Sequence, residues 1–227
     1  MRMAALRLEL APGWKTYWRA PGEAGIPPRI DWSGSRNVEA VEIIWPTPEL
    51  TMTSGYRTIG YTNDLVLPVR LTPKRPGAAM VLAADLEIGI CREVCVPVEA
   101  KARRDIPPGA GRRDPRIAAA LAMRPYTAAE AGVGRVTCRV APASGGLTLV
   151  TEIEMPRRGA QELVVVETSN PDLWVAQGDT ARKGDMLRAE TEIQHVEGRG
   201  VLLDRGALRF TVLSTGDAVD IRGCTGG

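Results

Sequence analysis

Apolar and polar residues alternate along much of this chain. In the first half the alternation covers residues 3–10, 38–45, 65–71 and 80–90. In the second half it returns at 134–140, 147–153, 162–167, 186–193, 207–213 and 218–221. A period of two puts successive side chains on opposite faces, which is the pattern of a strand with one face buried. Glycine and proline, 24 and 17 residues, cluster between these runs as turn punctuation. Short strands with frequent turns predict an all-β sandwich or barrel.

One segment breaks the pattern. Asp114-Pro115-Arg116-Ile117-Ala118-Ala119-Ala120-Leu121-Ala122-Met123-Arg124 offers an N-cap aspartate, proline at the first helical position and three consecutive alanines, and it stops before Pro125. These are start and stop signals of a short helix. With its flanks it reads as a connector, residues 106–131, between β domains at 1–105 and 132–227. The halves differ in composition: Trp14, Trp18, Trp32 and Trp45 lie in the first, Trp174 in the second.

Composition narrows the function. The chain's 227 residues can bury a substantial core in one large domain or two small ones. A net charge of +2 gives no cationic surface of the kind nucleic acid requires. No apolar stretch approaches the roughly 20 residues that cross a bilayer. The first ten residues alternate like a strand and lack the apolar run of a secretory leader. The expectation is therefore a cytosolic protein or one whose leader has been removed.

Four cysteines remain to be explained. Cys91 and Cys95 are four positions apart, and Pro97 stiffens the exit from the pair. So short a ring adds little stability, because loop-closure entropy grows with the length enclosed. Two readings stand side by side: a small structural link pinning a hairpin, or a pair that opens and closes. Exchange needs a reachable thiolate and a second thiol to resolve the mixed disulfide. Arg92 favours a thiolate here and Glu93 opposes it. Cys138 and Cys224 pair naturally with each other; a bond between them encloses most of the second half and reads as a structural staple. An even cysteine count favours an oxidising compartment.

Several motifs tip the first choice. The run Gly13-Trp14-Lys15-Thr16-Tyr17-Trp18-Arg19-Ala20-Pro21-Gly22 through Pro27-Pro28-Arg29-Ile30-Asp31-Trp32 resembles the opening of the N-terminal periplasmic domain of the thiol:disulfide interchange protein DsbD and the related ScsB proteins. Trp45-Pro46-Thr47-Pro48, residues 60–69 and Cys91 to Pro97 follow in the family's order. The resemblance implies an immunoglobulin-like sandwich, and for the whole chain two such β-sandwich domains. It implies Cys91 and Cys95 as the redox pair, with Cys95 forming mixed disulfides and Cys91 resolving them. It further implies a cap over the sulfurs within residues 49–56, where Leu50, Met52 or Tyr56 takes the place of the family's phenylalanine. The implied partners are thioredoxin-fold periplasmic proteins and a membrane-embedded electron donor. The implied location is the periplasm, with membrane association through a partner or a further segment. No organic cofactor, metal or small-molecule substrate is called for.

The remaining residues support bland readings. The single histidine, His195, and the four cysteines show no paired zinc-ligand spacing, and His195 has no nucleophile partner. The tryptophans of the first half read as core or rim packing rather than a carbohydrate platform. Arg103-Arg104 and Arg112-Arg113 read as a solvated coat on the connector. The rival functions are a scaffold module with two structural disulfides and a copper-handling thiol protein.

Overall fold

The computed structural model describes residues 1–53, 55–109, 111 and 113–227. Ser54 of the expected cap and Ala110 and Arg112 of the Pro/Gly stretch lie outside the described residues. The chain forms two compact units, Met1–Arg124 and Pro125–Gly227.

The first unit contains β1 (Arg2–Leu8), β2 (Lys15–Gly22), β3 (Arg29–Asp31), β4 (Val38–Ile43), β5 (Glu49–Thr53), β6 (Tyr56–Tyr61), β7 (Leu65–Pro73), β8 (Met80–Cys91), β9 (Cys95–Ile106) and the helix α1 (Pro115–Ala122). One sheet runs β1-β7-β4; the other runs β3-β8-β2-β6-β5, with β9 paired to β8. The sandwich follows from the alternation. Even positions of β8, from Met80 to Ile88, turn inward with Val69 and Leu71 of β7, while Asp85 and Glu87 stay in solvent. Leu6, Leu8, Ile30 and Trp32 close the layer around them. Each fully buried side chain of this size contributes on the order of 2 kcal/mol.

The helix forms where its capping residues place it. The Asp114 carboxylate accepts the Arg116 amide at 2.9 Å, Pro115 occupies the first turn, and Ala120 is buried. It packs on β7 within the first unit. Arg103 and Arg104, expected on the connector, sit instead in β9, because that strand continues to Ile106.

The second unit contains β10 (Tyr126–Thr127), β11 (Val136–Ala143), β12 (Gly146–Glu154), β13 (Leu163–Glu167), β14 (Leu173–Val175), β15 (Asp179–Lys183), β16 (Met186–His195), β17 (Arg209–Ser214), β18 (Asp217–Arg222) and β19 (Thr225–Gly226). Its sheets run β10-β18-β17-β13 and β14-β16-β12-β11-β19, with β15 also on β16. Their inner faces meet around Leu149, Ile153, Leu187, Ile193, Phe210 and Val219, all essentially inaccessible. Both units are β-sandwiches, and among the described residues the fold is all-β apart from α1 and one 3₁₀ turn at Arg205–Ala207.

Candidate functional site: a disulfide at a sheet edge

The candidate site begins with the β8–β9 hairpin. The two strands pair along their full length and end in the facing couple Cys91 and Cys95, joined by a disulfide. Only Arg92, Glu93 and Val94 turn the chain. The two sulfurs are unequally placed: Cys91 is 1% exposed, whereas Cys95 is exposed on the outer strand.

Tyr17 of β2 lies against this bond. Its hydroxyl is 2.8 Å from Cys91 Sγ and 3.1 Å from Cys95 Sγ. Sulfurs in a disulfide carry no hydrogen, so the phenol is the donor. Burial raises the Tyr17 pKa above its ordinary value, which keeps that proton in place. The strand register explains the approach. Lys15 pairs with Cys91 and Thr16 with Ile90, so the next step sets Tyr17 opposite Gly89. A Cβ on Gly89 would come within 3.0 Å of the Tyr17 ring and 2.6 Å of Ile26. On the other side of the ring, a Cβ on Gly25 would meet it at 2.8 Å. The two glycines thus form a slot whose width is that of one aromatic ring.

The loop that supplies Gly25 and Ile26 is held from below. Glu23 donates its amide to Arg57 O at 2.9 Å, and its carboxylate accepts the Arg57 amide at 2.7 Å and pairs with the guanidinium. The Arg57 amide and guanidinium, acting against desolvation, hold the Glu23 carboxyl below the usual range. Arg57 belongs to β6, directly opposite Met52 of β5. Leu50, Met52 and Tyr56 stand on this β5–β6 hairpin, 44%, 65% and 56% exposed. The described polar contacts to the sulfurs come from Tyr17, a residue the sequence reading quoted within a motif without giving it a role. A lone glycine inside an otherwise regular strand was the available signal, since it marks a close approach by another group.

Lys15 also belongs to the site. It is the cross-strand partner of Cys91, and burial lowers its pKa. A partly desolvated ammonium beside a thiol favours the thiolate.

The other predicted residues fall elsewhere. Cys138 of β11 and Cys224 form the second disulfide, with Cα atoms 5.8 Å apart. The chain continues past Cys224 into β19, which pairs in parallel with β11. His195 ends β16, where its Nδ1 accepts the Glu197 amide at 3.1 Å. Trp18 is fully buried, with the Arg19 guanidinium 3.8 Å from its ring centroid. Among the described residues no group of three or more His, Cys, Asp or Glu side chains is arranged to hold a metal ion.

The fold and this hairpin make the first unit a β-sandwich with a disulfide closing the end of its β8–β9 strand pair. Residues 2–106, most of the first unit, match the family model for "Thiol:disulfide interchange protein DsbD, N-terminal". The family is the one its motifs resemble. The crystal structure of the N-terminal periplasmic domain of ScsB from Proteus mirabilis superposes with a TM-score of 0.71 at 24% identity. The alignment covers 99% of this chain and 87% of that one, so the shared fold extends through the second unit. No curated protein sequence matches the chain. No helix among the described residues is long and apolar enough to cross a membrane.

Proposed function

We propose that the chain is a periplasmic relay of reducing equivalents and that Cys91 and Cys95 carry them. In the forward step the Cys95 thiolate attacks a partner's disulfide, forming a mixed disulfide and expelling one partner thiolate. The Cys91 thiolate then attacks Cys95 Sγ and releases the second partner sulfur as a thiol. Two electrons and two protons pass to the partner, and the Cys91–Cys95 bond is left behind. A donor dithiol reverses the sequence. The proposed acceptors are thioredoxin-fold proteins of the periplasm, and the proposed donor is membrane-embedded.

The observation that carries this reading is the asymmetry of the pair. The residue given the attacking role is exposed; the one given the resolving role is buried, and the Tyr17 hydroxyl lies against both sulfurs. Donation from Tyr17 favours whichever sulfur bears negative charge, so the same hydroxyl serves both steps. Leu50, Met52 and Tyr56 are assigned as the cover that a partner displaces. Cys138 and Cys224 are assigned as a structural link, and the second unit as a structural or docking module.

The test is selective reduction of the native protein by reduced thioredoxin, followed by alkylation and mass measurement. The Cys91–Cys95 bond opens and the Cys138–Cys224 bond stays closed. Structural disulfides generally lie below about −300 mV. A Cys91–Cys95 bond equally resistant would make the chain a scaffold with two structural links. In cells, Cys91→Ala leaves mixed disulfides on Cys95 unresolved, and thioredoxin-fold proteins are the expected adducts.

A further inference from the structure

Tyr17 reaches the sulfurs from a strand that leaves its ladder. Thr16 and Tyr17 pair with Tyr61 and Gly60 of β6, and pairing resumes only where Gly22 meets Thr58. Four residues of β2, Trp18 to Pro21, thus stand against the single Ile59. An insertion of this kind re-aims the side chain beside it, and here that side chain is the one on the disulfide. The chain re-enters at Gly22, where a Cβ would stand 2.5 Å from Arg57 O. That close approach and a φ of +84° together require glycine.

Glu23 fastens the returning chain. Its amide donates to Arg57 O at 2.9 Å, its Oε2 accepts the Arg57 amide at 2.7 Å, and its Oε1 accepts Nε and Nη2 at 3.3 and 3.2 Å. Charge-assisted forks of this geometry are the strong ones. Both side chains are 31% exposed, so the fork is sheltered without being buried. Two residues on, Gly25 lies outside any strand and forms one wall of the Tyr17 slot. The other wall, Gly89, is fixed within β8 by its pairing with Pro97. The wall that can move is the one Glu23 holds. Arg57 for its part stands in β6 opposite Met52, on the hairpin assigned as the cover.

We infer that the Glu23–Arg57 pair joins the β5–β6 hairpin to Tyr17 and thereby sets how readily the Cys91–Cys95 pair parts with its electrons. Glu23 is a positioning residue, acting on the sulfurs through the Tyr17 hydroxyl. This inference rests on the proposed exchange at Cys91–Cys95. With the hairpin in place the slot is closed, and the hydroxyl donates to the sulfurs and favours the reduced, ionised pair. When a partner displaces the hairpin, Arg57 carries Glu23 with it, the Gly25 wall withdraws and the hydroxyl loses its alignment. The dithiol then holds its two electrons and two protons less tightly and passes them to the disulfide of the partner that moved the hairpin. The pair is the weaker reductant before docking and the stronger one after it.

The test uses the full chain in anaerobic dithiothreitol buffers of graded oxidised-to-reduced ratio, with alkylation and mass measurement of both disulfides in each sample. Glu23→Ala lowers the equilibrium constant for reduction of Cys91–Cys95 about threefold, equivalent to about 14 mV for two electrons. Arg57→Ala lowers it about twofold, because the Arg57 amide still holds the carboxylate. The two substitutions together do no more than Glu23→Ala alone. In a Tyr17→Phe background Glu23→Ala adds nothing, since the hydroxyl through which it acts is gone. The Cys138–Cys224 constant is the same in every variant. Should Glu23→Ala unfold the first unit, Glu23→Gln keeps an oxygen for the Arg57 amide and shifts the constant about twofold. An unshifted constant in whichever Glu23 variant is folded overturns the inference. So does full additivity with Arg57→Ala, which would separate the hairpin from the loop, or a shift that survives in Tyr17→Phe, which would leave Glu23 a structural role alone. Dithiothreitol opens structural disulfides too, so these constants are obtained whether or not thioredoxin opens the native bond. Failure of the relay reading appears in that separate reduction, and failure of this inference in the pattern of shifts.

Discussion

The two disulfides of this chain are built in opposite ways. Cys91–Cys95 spans four positions, closes a hairpin and leaves one of its two residues exposed. Cys138–Cys224 spans 86 positions and joins an interior strand of the second unit to the segment leading into β19. Cys138 is 1% exposed and packs into the core of that unit. The first bond restrains little chain and can be reached. The second restrains most of a domain and is sheltered. Stability and exchange ask opposite things of a cross-link, and on the proposed function they fall to separate units.

The largest expected effect tests that separation directly. Loop-closure entropy assigns the 86-position bond about 4–5 kcal/mol and the four-position bond about 2 kcal/mol. The double variant Cys138→Ala with Cys224→Ala should therefore lose most of that larger amount in urea unfolding, with the transition of the second unit moving. Cys91→Ala with Cys95→Ala should move the first unit's transition much less while abolishing exchange with thioredoxin. Equal losses would break the contrast. It would mean that the hairpin bond has a structural role of similar weight.

A second stabilising device belongs to the second unit. Arg182 and Glu162 form an ion pair with side chains only 5% and 4% exposed. Arg182 also donates to Met155 O at 2.9 Å, and Glu162 accepts the Arg158 amide at 2.8 Å. Removing one partner of such a pair leaves an uncompensated buried charge, a cost of about 3–5 kcal/mol. Arg182→Ala is the variant of choice, read by thermal unfolding. Desolvation pushes the Glu162 carboxyl up, but the Arg182 guanidinium and the Arg158 amide outweigh it and hold the pKa below its ordinary value. A depressed carboxyl contributes stability above its unfolded pKa, about 4.3, and loses it as pH falls through the lower folded value. Acid titration of the wild type should show this loss, and Glu162→Gln should flatten that part of the curve. An unchanged acid slope would remove Glu162 from the account.

How much of this could be read from residues alone depends on what each strand faces. Strands with one buried face, such as β7, β8, β12 and β16, announce themselves by alternation. The helix does so by its cap, its proline and its alanines. By contrast, β9 is exposed or half-exposed at every position, so no hydrophobic rhythm marks it. Likewise β2 is hidden by the register shift between Tyr17 and Gly22, where the pairing with β6 slips. The cysteines were legible because thiol spacing is local. The Tyr17 hydroxyl was not, since its position depends on which residue of β8 lies across from it. The same holds for Arg182 and Glu162, whose meeting is a consequence of strand packing.

Tyr17→Phe sharpens the contrast from the redox side. A hydrogen bond to a thiolate is stronger than one to a disulfide sulfur, so the phenol favours the reduced, ionised pair. Its loss should lower the potential of Cys91–Cys95 by about 20 mV, the equivalent of roughly 1 kcal/mol for two electrons. The Cys91 thiol pKa should rise in parallel. Glutathione equilibration and alkylation against pH give the two values. Lys15→Met should shift both in the same direction by a smaller amount, because the ammonium acts across a strand rather than through a direct bond. Neither variant should alter the Cys138–Cys224 bond.

Met52→Ala carries the smallest expected effect and probes the exposed sulfur's protection. Met52 is 65% exposed on the β5–β6 hairpin, so truncating it should change stability by no more than about 0.5 kcal/mol. Any change in chemistry is then separable from a change in folding. If the hairpin covers the pair in its reduced state, loss of the Met52 side chain should speed peroxide oxidation of Cys91 and Cys95 by about two- to fivefold, because access governs thiol oxidation. The measurement is the rate of disulfide return after anaerobic reduction, with Leu50→Ala and Tyr56→Ala beside it. An unchanged rate in all three would move the covering role off this hairpin and onto the Tyr17 ring with its slot of Gly25 and Gly89. The short cross-link would then owe its protection to the same residue that tunes its potential.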